Sequence, residues 1–272
     1  MTQPRHPASA TPATGSLWVV TGAAGTVGTA LRAALYELGV DLVSTDLREP
    51  TSLGERDRVV AADVADLEGL VELVAGADGV IHLGGIADEA DFHDLATVNI
   101  VGTYHVLEAA RRAGVPRVVF ASTNRVTGMH PAGTTTDPTM PTRPDGFYGA
   151  SKVAGEALCQ LYADKFGLST IAVRIGSYGD EPGSAREQRT WLSRGDAVRA
   201  FVAAMTTDAH HAVFYAVSAN RDRWWDLEAG RAVGFEPQDD ASTRRADEPY
   251  DPAAPQGGPY AEVAFSLDRM TR

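Results

Sequence analysis

The chain has 272 residues, 44% of them apolar, which suits one large globular domain or a domain with a small cap. A formal net charge of −12 argues against nucleic acid and anionic membranes as partners, so a small anionic substrate would need arginine close at hand. No apolar run approaches the ~20 residues that a membrane span requires.

Residues 1–16 are rich in Pro, Ala and Thr, carry Arg5 and His6, and lack the apolar stretch of a signal peptide. They are expected to be a disordered tail ahead of a single domain over 17–272. One cysteine rules out an internal disulfide and fits a reducing, cytoplasmic setting. Cys159, among Ala157, Leu158 and Leu161, reads as a small buried apolar side chain.

A β-rich run over 17–21 leads into Gly22, Gly25 and Gly28 and then a helix over 27–38. A phosphate-binding loop needs that context. Gly22 permits the tight turn, Gly25 lets the backbone approach a pyrophosphate, and Gly28 lets the helix pack closely. Thr26 and Val27 open the helix, whose free N–H groups and positive dipole end meet the phosphates. The second strand, 40–45, is followed by Asp46, a carboxylate placed to accept both ribose hydroxyls and repel a 2′-phosphate. NAD is therefore favoured over NADP, although Arg48 lies nearby.

A third strand, 58–61, precedes Asp63 and Val64, placed to meet an adenine, and a helix over 66–74. A helix N-cap is the plainer role for Asp63. The fourth strand, 79–83, ends in Leu83, Gly84 and Gly85, where small residues let the backbone approach the cofactor. A long helix over 91–113 stops at Gly114 and Pro116. It carries Asn99, read either as a water or backbone contact supporting Lys152 or as purely structural.

The fifth strand, 117–122, ends beside Thr123, whose hydroxyl suits orienting a reacting oxygen, with Ser122 as its rival. A long Pro-rich loop, 128–146, precedes a helix over 148–166 that ends at Gly167. Tyr148 and Lys152 open this helix at i and i+4. A phenol is a poor base near neutrality, and a nearby ammonium lowers its pKa, so the pair suits proton abstraction beside a nicotinamide. A sixth strand covers 169–174, with Ile175 beyond it assigned to the cofactor, then a helix over 196–205, a strand over 212–217 and a short helix over 224–230. Strands alternating with helices predict an α/β, doubly wound parallel sheet of Rossmann type with a small C-terminal substrate-binding portion. Substrate elements are expected mainly in 123–147 and 175–272.

These motifs resemble the extended short-chain dehydrogenase/reductase superfamily. A closer similarity, to the uronate dehydrogenases, runs through His82-Leu83-Gly84-Gly85-Ile86, residues 119–124, 143–149, 164–167 and 173–177. Thr190-Trp191-Leu192-Ser193, Ser218-Ala219-Asn220 and Trp224-Trp225-Asp226 extend it, and these are not general superfamily features. The resemblance implies NAD-dependent oxidation of a hexuronic acid at its anomeric carbon to an aldarolactone. It implies that Arg186 pairs with the sugar carboxylate and that Ser177 and Asn124 hydrogen-bond the sugar. Two positions depart from that pattern: Ala87 stands where a substrate-binding serine is expected, and Arg125 where histidine is. Arg125 is therefore expected as a second cation for the substrate.

An NAD-retaining sugar-nucleotide epimerase or dehydratase is the alternative, together with a dehydrogenase of another aldose or sugar acid. Only 98 residues follow Arg174, and Asn124 and Arg125 replace the acids that a dehydratase places after its threonine. A non-enzymatic NAD sensor is opposed by the presence of both Tyr148 and Lys152. Oligomeric state stays open, a homo-oligomer included.

Overall fold

The computed structural model describes residues 11–243 and 249–270; most of the tail expected at 1–16, namely 1–10, lies outside the described residues. Strand β1 (Leu17–Thr21) leads to α1 (Thr26–Glu37), β2 (Asp41–Asp46), β3 (Asp57–Ala61), α2 (Leu67–Val74) and β4 (Gly79–His82). The next helical stretch has three parts: α3 (Phe92–Leu95), a π-helical segment (Ala96–Val101) and α4 (Gly102–Ala113). Strand β5 (Arg117–Thr123), α5 (Phe147–Phe166) and β6 (Ser169–Ile175) follow. Beyond them come β7 (Ser177–Tyr178), α6 (Glu187–Thr190), β8 (Trp191–Leu192), α7 (Arg194–Thr206), β9 (His211–Ala216), α8 (Glu228–Ala232) and α9 (Val263–Leu267).

The main sheet has seven strands in the order β3-β2-β1-β4-β5-β6-β9. Each pairs in parallel with its neighbours. This is the doubly wound Rossmann-type sheet that the alternation predicts. Successive strand residues point to opposite faces, and both faces are buried. Val19, Val43, Val118 and Phe120 pack with Leu70 of α2, Leu107 of α4 and Cys159 of α5. Trp18, Leu42, Ile81 and Val119 pack on the other face with Leu31 and Leu35 of α1 and Phe201 of α7. Each such large side chain contributes roughly 1.5–3 kcal/mol on burial. Among the described residues no helix is long and apolar enough to cross a membrane.

Two elements differ from expectation. The helix expected over 91–113 is interrupted by the π segment, because Asn99 within it makes backbone contacts outside the helix. Its side-chain carbonyl accepts the Ile86 N–H at 2.8 Å, and its amide donates to the Ile86 carbonyl and to Ser151 Oγ, each at 3.0 Å. The short helix expected over 224–230 forms only at α8. Trp224 and Trp225 run extended instead: the Trp224 carbonyl accepts the Thr136 N–H at 2.8 Å, and Asp226 N–H donates to the Thr136 carbonyl at 3.0 Å. Trp225 thereby stacks on Tyr215 with ring centroids 5.2 Å apart, burial that one more helical turn does not offer.

Candidate active site

The strand order reverses between β1 and β4, the topological switch point at which such sheets bind ligands. A cavity of about 550 Å³ opens there. It is lined by Gly22, Gly25, Thr26, Val27, Gly28, Asp46, Asp63, Val64, Leu83, Gly84 and Gly85. Gly22 has φ +69°, and a Cβ on it would lie 2.7 Å from the Gly84 nitrogen; one on Gly28 would lie 2.3 Å from the Gly22 carbonyl oxygen. The loop therefore needs glycine for both backbone conformation and close packing. Helix α1 has no side-chain cap and no acid in its first turn, so its first N–H groups remain available to a phosphate. Asp46 is fixed at the lip of the cavity, accepting the Ala24 N–H at 3.0 Å and the Leu47 N–H at 2.8 Å. Arg48 lines the same cavity. Asp63 is not the N-cap of α2: Asp66 is, accepting the Gly69 N–H at 3.0 Å, while Asp63 accepts the Ala65 N–H at 2.9 Å. A glycine cradle, an uncapped helix start and a carboxylate at the end of β2 fit a dinucleotide.

A second cavity, about 350 Å³, shares Val27, Leu83, Gly85, Ile86 and Ala87 with the first. Thr123, Asn124, Arg125, Tyr148, Lys152, Ile175, Ser177 and Arg186 line it, so the residues expected to bind substrate converge on one space. Asn99 stands behind this wall. A Cβ on Gly85 would lie 2.7 Å from Asn99 Oδ1 and 3.7 Å from Lys152 Nζ. His82, at the end of β4, is no acid–base candidate: burial and the nearby Lys152 push its pKa down to about 3. It bridges Thr21 and Thr103 as a neutral ring.

Tyr148 and Lys152 are 8% and 4% exposed. The lowered tyrosine pKa expected from the sequence is not what the protein alone produces. Burial pushes Tyr148 up to about 12, against opposing hydrogen bonding from Thr123 and attraction from the Arg125 guanidinium. Burial likewise pushes Lys152 down to about 8. Its ammonium lies 5.0 Å from the centre of the Phe120 ring, with no hydrogen-bond acceptor among the described residues. Ser122, the rival of Thr123, is engaged elsewhere, donating to Glu156 at 2.6 Å.

Held at about 8 against an ordinary 10.5, the Lys152 ammonium costs the fold on the order of 3 kcal/mol at pH 7. Between those two values the unfolded chain binds a proton that the folded chain does not, so the cost fades as pH rises through that window. Lys152→Met, similar in length and apolar, should therefore melt above wild type at pH 7, with the gap closing near pH 10, while turnover is lost. Melting curves across pH test this, and a destabilised variant at pH 7 would refute it.

At the far end of the cavity Arg186 is held in place by neutral groups. Its Nε donates to the Gln256 carbonyl at 2.7 Å, Nη1 to Ser177 Oγ at 3.1 Å and Nη2 to Asn124 Oδ1 at 3.2 Å. Asn124 in turn donates to the Ile175 carbonyl at 3.0 Å. Among the described residues no carboxylate forms an ion pair with Arg186, and burial lowers its pKa.

Arg125 lines the cavity, but it is not the free second cation expected. Its three nitrogen corners are taken by Asp145 (2.8 Å), Asp88 (3.0 Å) and Glu89 (3.1 Å). The sequence reading missed these carboxylates, and it missed Tyr260, whose ring lies 4.6 Å from the Arg125 guanidinium and 5.3 Å from that of Arg186. Tyr260 sits in a 3₁₀ turn (Gly258–Ala261) within a Pro- and Gly-rich stretch with no periodic signal.

Residues 18–182 match the model of the NAD dependent epimerase/dehydratase family. A uronate dehydrogenase of Pseudomonas syringae pv. tomato is 39% identical over 230 residues, covering 84% of each chain. The L-arabinose 1-dehydrogenase (NAD(P)(+)) of Haloferax volcanii is 38% identical over 256 residues, covering 82% of this chain and 97% of that one. A crystal structure of uronate dehydrogenase from Agrobacterium tumefaciens, a tyrosine-to-alanine mutant complexed with NAD, superposes with a TM-score of 0.86 at 37% identity. That match covers 93% of this chain and 99% of the other. The chain belongs to the NAD dependent epimerase/dehydratase family and, within it, groups with the uronate dehydrogenases.

Proposed function

We propose that this protein is a cytoplasmic NAD-dependent oxidoreductase that oxidises a hexuronic acid of the galacturonate or glucuronate type at its anomeric carbon, giving the aldarolactone. The observation that carries this reading is Arg186: a guanidinium facing a sugar-sized cavity, held by three neutral acceptors and paired with no carboxylate among the described residues. A planar fork of this kind suits a substrate carboxylate. The substrate then lies between 123–147, which supply Thr123 and Asn124, and 175–272, which supply Ser177 and Arg186. NAD, held by the glycine cradle and Asp46, supplies the acceptor for the hydride that leaves C1. Tyr148 takes the proton of the anomeric hydroxyl, Thr123 orients that hydroxyl, and the C1–O bond becomes the lactone carbonyl. Lys152, which has no hydrogen-bond acceptor among the described residues, binds the nicotinamide ribose and favours the ionised phenol. Asn99 holds the backbone at Ile86 beside them.

The test is NADH formation with galacturonate, glucuronate and the neutral parent aldoses, run in parallel with NADP. Sustained turnover on a uronate with NAD, at a higher kcat/KM than on the aldose, is expected. A preference for the neutral aldose would transfer the reading to a dehydrogenase like the L-arabinose enzyme. Tightly held NAD without accumulating NADH would transfer it to an epimerase.

A further inference from the structure

Three carboxylates converge on Arg125, and two of them, Glu89 and Asp145, have fully buried side chains. A substrate carboxylate approaching this guanidinium would meet three carboxylates as like charges, whereas the partners of Arg186 are neutral. Three aromatic rings close around the cation: those of Tyr260, Tyr148 and Phe265, at 4.6, 5.2 and 5.4 Å. The rings and the two buried carboxylates thus cover most of the group, which meets the cavity at its edge beside Asp88.

The partners of Arg125 lead to the start of α5. The N-cap of that helix is Gly146, which has no side chain to cap it. Glu89 caps it instead from a distant loop, accepting the Phe147 N–H at 2.7 Å and the Tyr148 N–H at 3.1 Å. It also accepts the Ser266 hydroxyl at 3.1 Å, which ties in α9. The same Glu89 Oε2 that receives Tyr148 N–H receives Arg125 Nη2. The Arg125 carbonyl accepts the Asp145 N–H at 3.2 Å and lies so near Gly149 that a Cβ there would approach it to 2.6 Å. Glu89 and Asp145 share this one cation, and removing one partner of a buried ion pair leaves the charge that remains uncompensated.

We infer that Arg125 is a positioning residue, joining Glu89, Asp145 and the segment around Tyr260 and Phe265 into one unit that fixes the start of α5 and, with it, Tyr148. It does not bind the substrate's carboxylate; that role stays with Arg186. The inference rests on the proposed reading for its kinetic test but not for its structural one.

The structural test is hydrogen exchange at the amides of 147–150 in the NAD complex. Arg125→Gln should raise exchange there by roughly tenfold or more, with the core strands unchanged, because the Glu89 cap loses its anchor. The kinetic test compares wild type, Arg125→Gln and Arg125→Lys on galacturonate and galactose. Arg125→Gln should lower kcat by about 100-fold on both substrates, the scale that a misplacement near 1 Å produces, with the galacturonate KM changed far less. The pH limb of kcat/KM that reports Tyr148 should move upward in Arg125→Gln as a nearby positive charge is lost. Arg125→Lys should restore the limb but not kcat, since an ammonium cannot fork to three partners. A galacturonate KM raised at least tenfold with kcat preserved and galactose unaffected would overturn the inference and make Arg125 a substrate ligand. Unchanged exchange at 147–150 would also overturn it. If Arg125→Gln does not fold, Asp88→Asn at the exposed rim should give the same pattern more weakly, and normal kcat in that variant would count against it. If wild type oxidises no uronate, the proposed reaction fails while the exchange result still decides the role of Arg125.

Discussion

Tyr148→Phe should lower kcat by about 10²–10⁴, the usual cost of losing a general base, while NAD affinity stays near wild type. The phenol sits at the buried start of α5, where Phe fills nearly the same volume and the Glu89 cap to the backbone is untouched. The loss should therefore be chemical and not structural: an unchanged melting temperature, an unchanged KM within a few-fold, and a collapsed kcat. Because burial holds Tyr148 up to about 12 in the protein alone, the proton stays on the phenol near neutrality until the bound state adds positive charge. Near-normal turnover in the Phe variant would remove Tyr148 from the mechanism and leave proton transfer to water.

Arg186→Ala should separate charged from neutral substrates. A uronate bound without its guanidinium leaves a carboxylate desolvated and unpaired, which costs ~2–5 kcal/mol. That corresponds to a fall in kcat/KM of roughly 30-fold to several thousand-fold on galacturonate. Residual oxidation of galactose should fall much less. The comparison is needed because Arg186 also ties Ser177, Asn124 and the Gln256 carbonyl together. Equal loss on both sugars would mean that this tie, and not charge recognition, is its role.

What the sequence made legible was whatever is written locally. Gly22, Gly25 and Gly28 after a β-rich run, and Tyr148 and Lys152 four apart at a helix start, each carry their geometry in their spacing. Gly22, Gly25 to Gly28, Asp46, Asp63, Val64 and Leu83 to Gly85 surround one cavity because they stand at strand ends, which alternation locates well, while Tyr148, Lys152 and Ile175, also expected at the cofactor, line the adjoining one. Partner choice was not legible. Arg125 looked like a free cation because its carboxylates stand 20, 36 and 37 residues away in sequence. Glu89 lies in a loop with no pattern of its own, and Tyr260 in a stretch of Pro and Gly. The expected pull of Lys152 is not among the influences on Tyr148: burial dominates, opposed by the Thr123 hydroxyl and the Arg125 guanidinium, and burial depth is a property of the finished fold. The interrupted helix around Asn99 was hidden for the same reason, since its residues read as continuous helix until Ile86 is placed beside them.

That interruption sets a rule for how this stretch can change over time. A π turn holds about one residue more than an α turn, and Ala96–Val101 keeps that surplus between α3 and α4. Deleting one of those six residues would let the chain relax to an unbroken α-helix with α3 and α4 in nearly the same phase, because the π turn spends its extra residue within about the same rotation. Phe92 would keep its contact with Phe147, at 5.7 Å between ring centroids, but Asn99 would lose the wide turn from which it reaches Ile86. The surplus residue therefore serves the reach of Asn99 and not the placing of α3, and lineages of this protein should keep it wherever they keep Asn99 on Ile86.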